Sequence, residues 1–75
     1  MTPAQCRAAR ALLRWTVKDL SRESLVGEDT INRYEAESRP NRTFRPRTLL
    51  AIQTAFHNAG IQFLDKPEGV GFRRS

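Results

Sequence analysis

The segment LVGEDTINRYE, residues 25–35, opens on a short turn around Leu25–Gly27 and runs on with helical spacing. Ile31 and Tyr34 stand three apart, so a helix over about 28–37 carries them on one face, where they bury together. Glu28, Asp29, Asn32 and Arg33 are then left outward or flanking. The helix thus offers the outside a tip made of two carboxylates. Like charges about 6 Å apart repel by roughly 0.7 kcal/mol in water and about 3 kcal/mol at a surface-like dielectric. Acids in a first turn also stabilise the helix dipole, by about 0.3–1 kcal/mol.

Working outward, TPAQ at 2–5 is a helix start: Thr2 caps, Pro3 suits the first helical position and Gln5 completes a capping box. Ala9, Leu12 and Leu13 recur at helical spacing, which predicts helix one over about 3–14, with Trp15 as a lid on the core. Thr16 caps a second helix with Val17, Leu20 and Ser21 inward and Lys18, Asp19, Arg22 and Glu23 outward. Beyond residue 38, Pro40 and Pro46 bracket an arginine-rich loop. Helix four is expected over about 46–59, with Leu49, Ile52 or Gln53, Phe56 and Ala59 facing the core and Gly60 ending it. IQFLD and GVGFRR, separated by KPEG, read as a small hairpin or strand pair. The fold class is therefore mostly α: four helices at 1–60, then a C-terminal β extension at 61–75.

Seventy-five residues make one domain with a small core. No apolar run approaches the ~20 residues that span a bilayer. MTPAQCRAAR has neither the apolar centre nor the cleavage pattern of a signal peptide, so a cytoplasmic location is expected. Cys6 is the only cysteine, which excludes an intrachain disulfide or a thiolate metal cluster. His57, the only histidine, has no second ligand at useful spacing and reads as a surface residue. No nucleophile–base pair, phosphate loop or carboxylate pair suggests an enzyme, and no cofactor or metal is implied. The net charge of +5 favours an anionic partner. Its distribution is sharper: residues 27–38 carry −3, and RPNRTFRPR at 39–47 carries +4.

Residues 16–35, TVKDLSRESLVGEDTINRYE, resemble the helix-turn-helix of the xenobiotic-response-element family, which includes Cro and the phage repressors. The family pattern is matched by Leu20, small Ser21, apolar Val26, aliphatic Ile31, polar Asn32, aromatic Tyr34 and Glu35. The resemblance covers most of residues 4–59 and implies a Cro-like domain, with an ion pair from Arg10 to Glu35 tying helix one to helix three. Two positions depart from the pattern. Leu25 stands where glycine is usual, so the turn is strained, altered or widened if φ must be positive. Val17 stands where many relatives place a phosphate-binding glutamine.

The resemblance implies that Gly27, Glu28, Asp29, Thr30, Asn32 and Arg33 face DNA, and that Arg39, Arg42, Arg45 and Arg47 grip its backbone. Glu28 or Asp29 could accept from a cytosine amine or serve only the helix dipole. Arg33 could reach DNA or be held by Asp29 one turn back. Phe44 is a core plug or a partner anchor. Phe63, Leu64, Val70 and Phe72 either close over helix four or form a dimer interface by strand addition. Two functions are compatible with these residues. One is a sequence-specific, DNA-binding transcriptional regulator acting as a dimer. The other is an antiactivator, in which the same motif binds another regulator protein, Leu25 and Val17 are exposed anchors, and DNA is not bound.

Overall fold

The structure, a computed structural model, describes residues 1–36, 44–65 and 68–73. Four helices, α1 (Pro3–Leu13), α2 (Val17–Ser24), α3 (Glu28–Ala36) and α4 (Pro46–Asn58), precede a two-stranded antiparallel sheet of β1 (Ile61–Asp65) and β2 (Glu68–Phe72). Two helix starts are capping boxes. Thr2 Oγ1 accepts from the Gln5 N–H at 3.1 Å while Gln5 Oε1 accepts from the Thr2 N–H at 2.9 Å. Thr16 and Asp19 repeat the exchange at 3.1 and 2.9 Å. Each box satisfies two amide groups that a bare helix end leaves unpaired.

Both capped helices end on a non-glycine residue in the left-handed region, Arg14 (φ 58°) after α1 and Leu25 (φ 61°) after α2. The positive φ that strains a leucine in the turn before α3 is therefore present. Leu25 adopts the conformation that glycine would take, and its N–H bonds Ser21 O at 2.8 Å. Two serines knit this turn: Ser21 Oγ donates to Val26 O at 2.6 Å, and Ser24 Oγ donates to Leu20 O at 2.7 Å while accepting from the Val26 N–H.

The core comprises Cys6 and Ala9 of α1, Leu20 of α2, Ile31 and Tyr34 of α3, Ile52, Ala55 and Phe56 of α4, and Ile61 of β1. Each large aliphatic or aromatic side chain buried here contributes about 1.5–3 kcal/mol. Trp15 stacks on Phe56 with ring centres 5.8 Å apart, and Phe63 meets Phe56 edge-on at 6.0 Å. Phe44 meets Tyr34 edge-on at 5.2 Å, the packing of a core plug.

Several inward positions differ from the sequence reading. Leu12 is exposed, because Gln5, Cys6 and Ala9 form the buried stripe of α1. On α2, Ser24 joins Leu20 in the interior while Val17 and Ser21 are half-buried. On α4, Ala55 rather than Ala59 is buried. Helix one ends one residue early at Leu13, as does α4 at Asn58, with Gly60 beyond it at φ 93°. Strand β2 starts at Glu68, one residue before the GVGFRR segment.

The hairpin pairs Ile61 with Phe72, Phe63 with Val70 and Leu64 with Gly69, and the Arg73 N–H adds a bond to Gly60 O at 2.7 Å. Two elements hold it. Buried Ile61 roots β1 in the helical core, and the Gln5 amide of α1 donates to the carbonyls of the facing pair Leu64 and Gly69, at 2.8 and 2.9 Å.

Candidate nucleic-acid interface

Helix α3 has one face fixed by the rest of the chain. Ile31 and Tyr34 are buried, and the Tyr34 hydroxyl donates to Met1 O at 3.1 Å. Burial pushes the Tyr34 phenol up to about 12. Glu35, also buried, is the anchor at the far end. Arg10 grips it with two parallel bonds, Nε to Oε2 at 2.7 Å and Nη2 to Oε1 at 2.6 Å. The Cys6 thiol donates to Glu35 Oε2 at 3.1 Å, and Arg7 donates to the Glu35 backbone carbonyl. The carboxylate bond holds the Arg10 guanidinium above its ordinary pKa. Burial first, then the carboxylate it donates to, raises the Cys6 thiol far above the usual range, which leaves it protonated. A bidentate, hydrogen-bonded pair of this kind fixes the roll of α3 on α1.

With that roll set, Glu28, Asp29, Asn32 and Arg33 are exposed, Gly27 before them is exposed, and Thr30 is half-buried at the flank. Arg33 Nη2 lies 3.5 Å from Thr30 Oγ1, at the limit of a hydrogen bond. The ion pairs among the described residues are Arg10–Glu35 and Arg22–Asp19, so the Asp29–Arg33 pair one turn apart is not formed. Glu28 and Asp29 occupy the first turn, where their charge favours the helix dipole.

The flanking helix starts differ from one another. At α2 the start is closed: Asp19 caps Thr16, and its carboxyl is held below the usual range by the Thr16 N–H first and by Arg22 as well. Val17 beside it is half-buried against the core and is not an exposed anchor. The start of α4 is open. Arg45 precedes its first turn with no side-chain capping bond, that turn holds no acid, and Arg45 and Arg47 are both exposed. Pro46 has no N–H, and the Thr48 and Leu49 N–H groups bond Arg45 O at 2.9 and 3.2 Å, so the Arg47 N–H is left between two exposed guanidinium groups, a setting that favours an anion. Arg39 and Arg42 lie outside the described residues, as does Pro40.

The tail residues divide. Phe63 and Val70 are half-buried against the chain's own core, whereas Leu64 and Phe72 are exposed. His57 is exposed; Arg73 donates to its backbone carbonyl at 2.6 Å and sits 3.1 Å from its Nε2. Among the described residues, no three His, Cys, Asp or Glu side chains gather as metal ligands, and no helix is long and apolar enough to cross a membrane.

The sequence reading missed four contributors. Arg7 lies one turn before Arg10 on the same helix face, a spacing that signalled a second basic contact. Cys6 lies one turn before Arg10 as well. Gln5, as a capping glutamine, spends its oxygen on the cap and leaves its amide free to donate elsewhere. Ser24 follows Ser21 by three residues at a helix end, the place where hydroxyls bond turn backbone. No protein-family model matches the chain, and no curated protein matches it significantly.

Proposed function

We propose that the chain is a helix-turn-helix transcriptional regulator of the xenobiotic-response-element type, which lays α3 in the major groove of operator DNA. The observation that carries this reading is Arg33: exposed, free of any ion pair among the described residues, and beside Asn32 on the outward face of a helix whose other face is buried. A helix of this width fits the major groove, where Arg33 pairs with guanine edges or phosphate and Asn32 with adenine. Glu28 or Asp29 accepts from a cytosine amine at the groove floor. The open start of α4, with Arg45 and Arg47, clamps the sugar-phosphate backbone, and Arg39 and Arg42 extend the clamp. Pairing of two copies through the tail is not needed for this contact. Phe63 and Val70 are half-buried against the chain's own core, and Leu64 and Phe72 are the exposed tail residues on which a dimer would draw.

The test is a titration of the purified chain with a duplex from its own upstream region at low and moderate salt. Affinity is expected to fall with salt, with Arg45→Ala and Arg47→Ala each reducing the slope by about 0.9. Arg33→Ala is expected to cost about 1–3 kcal/mol and to relax preference at one base position. Equal affinity at both salts, or no binding at either, overturns the reading.

A second reading, a protein-binding antiactivator, is favoured by a different observation. Leu25 is 91% exposed at the entry to α3, next to the acidic pair Glu28 and Asp29. An apolar side chain flanked by two acids suits the basic surface of another regulator. Capture of such a regulator by the chain, abolished by Leu25→Asp, together with no DNA binding at low salt, selects this reading over the first.

A further inference from the structure

Exposed apolar surface is concentrated on one side of the molecule. Of the five large hydrophobic side chains exposed among the described residues, four (Leu25, Leu50, Leu64 and Phe72) border one continuous surface running along α4. Its wider part lies between α4 and the hairpin, encloses about 1160 Å³ and is lined by Leu50, His57, Phe63, Leu64, Phe72 and Arg73 among others. Its narrower part lies between α4 and the end of α2, at Leu25 and Arg47. Leu50 and Thr54 line both parts, so the two join along the outward face of α4. That face is separate from α3; only Arg47 belongs to both the groove and the phosphate clamp.

The ends of the groove carry the same sign of charge. Arg47 stands at one end. Arg73 stands at the other, pinned over the last turn of α4 by its bond to the His57 carbonyl. Among the described residues, Glu23, near Arg47, is the one carboxylate lining the groove. Arg47 and His57 are ten residues apart on one helix, about 15 Å along its axis. A second copy of this chain is a poor occupant. Twofold pairing with the α4 helices antiparallel brings Arg47 of one copy to Arg73 of the other, and parallel pairing brings like to like. Both arrangements appose cations, on a chain already at +5.

We infer that this groove docks an acidic amphipathic helix of a partner protein. Three turns of helix span the 15 Å between the basic ends. Apolar side chains at i, i+3 or i+4 and i+7 pack on Leu50, Leu64 and Phe72, and a carboxylate at each end meets Arg47 and Arg73. The inference does not rest on the DNA reading: no part of α3 lines the groove, and Arg47 is the one described residue used by both.

The experiment is a display selection on the full chain. The probe is a library of amphipathic helical peptides of about four turns, with fixed leucines on one face and end positions randomised between Glu and Lys. Binders that also bind the Leu50→Asp chain are removed; Leu50 is exposed, so this variant keeps the core. Enrichment of Glu at both ends is expected, with the selected peptide binding wild type at least about tenfold more tightly than Leu50→Asp. Its amide shifts are expected along α4 and the hairpin rather than on α3. Selection of Lys, no preference between the two, or no peptide that distinguishes Leu50→Asp overturns the inference. So does sedimentation showing a dimer that Leu50→Asp dissolves. Arg33→Ala, on α3 and outside the groove, keeps the two readings apart: the selected peptide binds it as tightly as wild type whether or not its DNA affinity falls.

Discussion

Leu25 concentrates the physics of the turn in one residue. An L-residue in the left-handed region costs about 1–2 kcal/mol, and Leu25 gains little in return because its side chain is almost fully in solvent. Leu25→Gly is therefore expected to stabilise the fold by about 0.5–1 kcal/mol after glycine's greater unfolded-state entropy is offset. Urea unfolding followed by the fluorescence of Trp15, the sole tryptophan, measures this; a loss of stability contradicts the strain. Tyr34, the sole tyrosine, reports the buried side of α3. Its folded pKa is raised from an ordinary 10.0 to about 12, so the stability it lends is whole below pH 10 and drains away as pH rises towards 12. Phenolate absorbance should rise with a midpoint well above 10 in the folded chain and near 10 in denaturant; coincident midpoints contradict the burial. Both residues were legible in the sequence to different depths. The three-residue spacing of Ile31 and Tyr34 was enough to orient α3. For Leu25 the sequence flagged a conflict but not its resolution, since the hydroxyls of Ser21 and Ser24 that hold the turn closed act through backbone geometry.

At the scale of elements, the helix starts were the most readable features, because capping boxes and N-terminal prolines are local. Contacts that tie elements together were less so. The Arg10–Glu35 pair came within reach only through family resemblance, and the added bonds from Cys6 and Arg7 did not. The inward faces of α1 and α2 were misjudged for one reason: polar Gln5 and Ser24 are buried with satisfied bonds, so apolar periodicity pointed at Leu12 and Val17 instead. Gln5 offers a sharp test of how the hairpin is held. Gln5→Glu keeps an acceptor for the Thr2 N–H, so the capping box survives. It removes both donors to Leu64 and Gly69 and sets a carboxylate against two carbonyls. A cost of about 1–3 kcal/mol is expected. Hydrogen exchange should quicken in β1 and β2 before α1 loses protection. Unchanged protection of the hairpin amides would show that Ile61 and the aromatic contacts hold it without help.

Across the whole molecule, the chain presents two outward surfaces that meet at Arg47. One is the edge of α3 with the open start of α4, mixed in sign and polar. The other is the α4 groove, apolar with basic ends. Fold class was legible because four helices and two strands each carry local signals. The division of labour between surfaces was not, because Leu25, Leu50 and Phe72 are far apart in sequence and meet only after folding. The same holds for the tail, where alternation marked Phe63, Leu64, Val70 and Phe72 as apolar without saying which would be spent inside. Everything proposed for α3 requires that its Glu28–Arg33 edge meet DNA. The most direct measurement is the set of backbone amide shifts of the labelled chain on adding a duplex from its own upstream region at low salt. The largest changes are expected on Gly27–Arg33 and on Arg45 and Arg47, reversing as salt is raised. Shifts confined to other surfaces, or a spectrum that does not change, would contradict it.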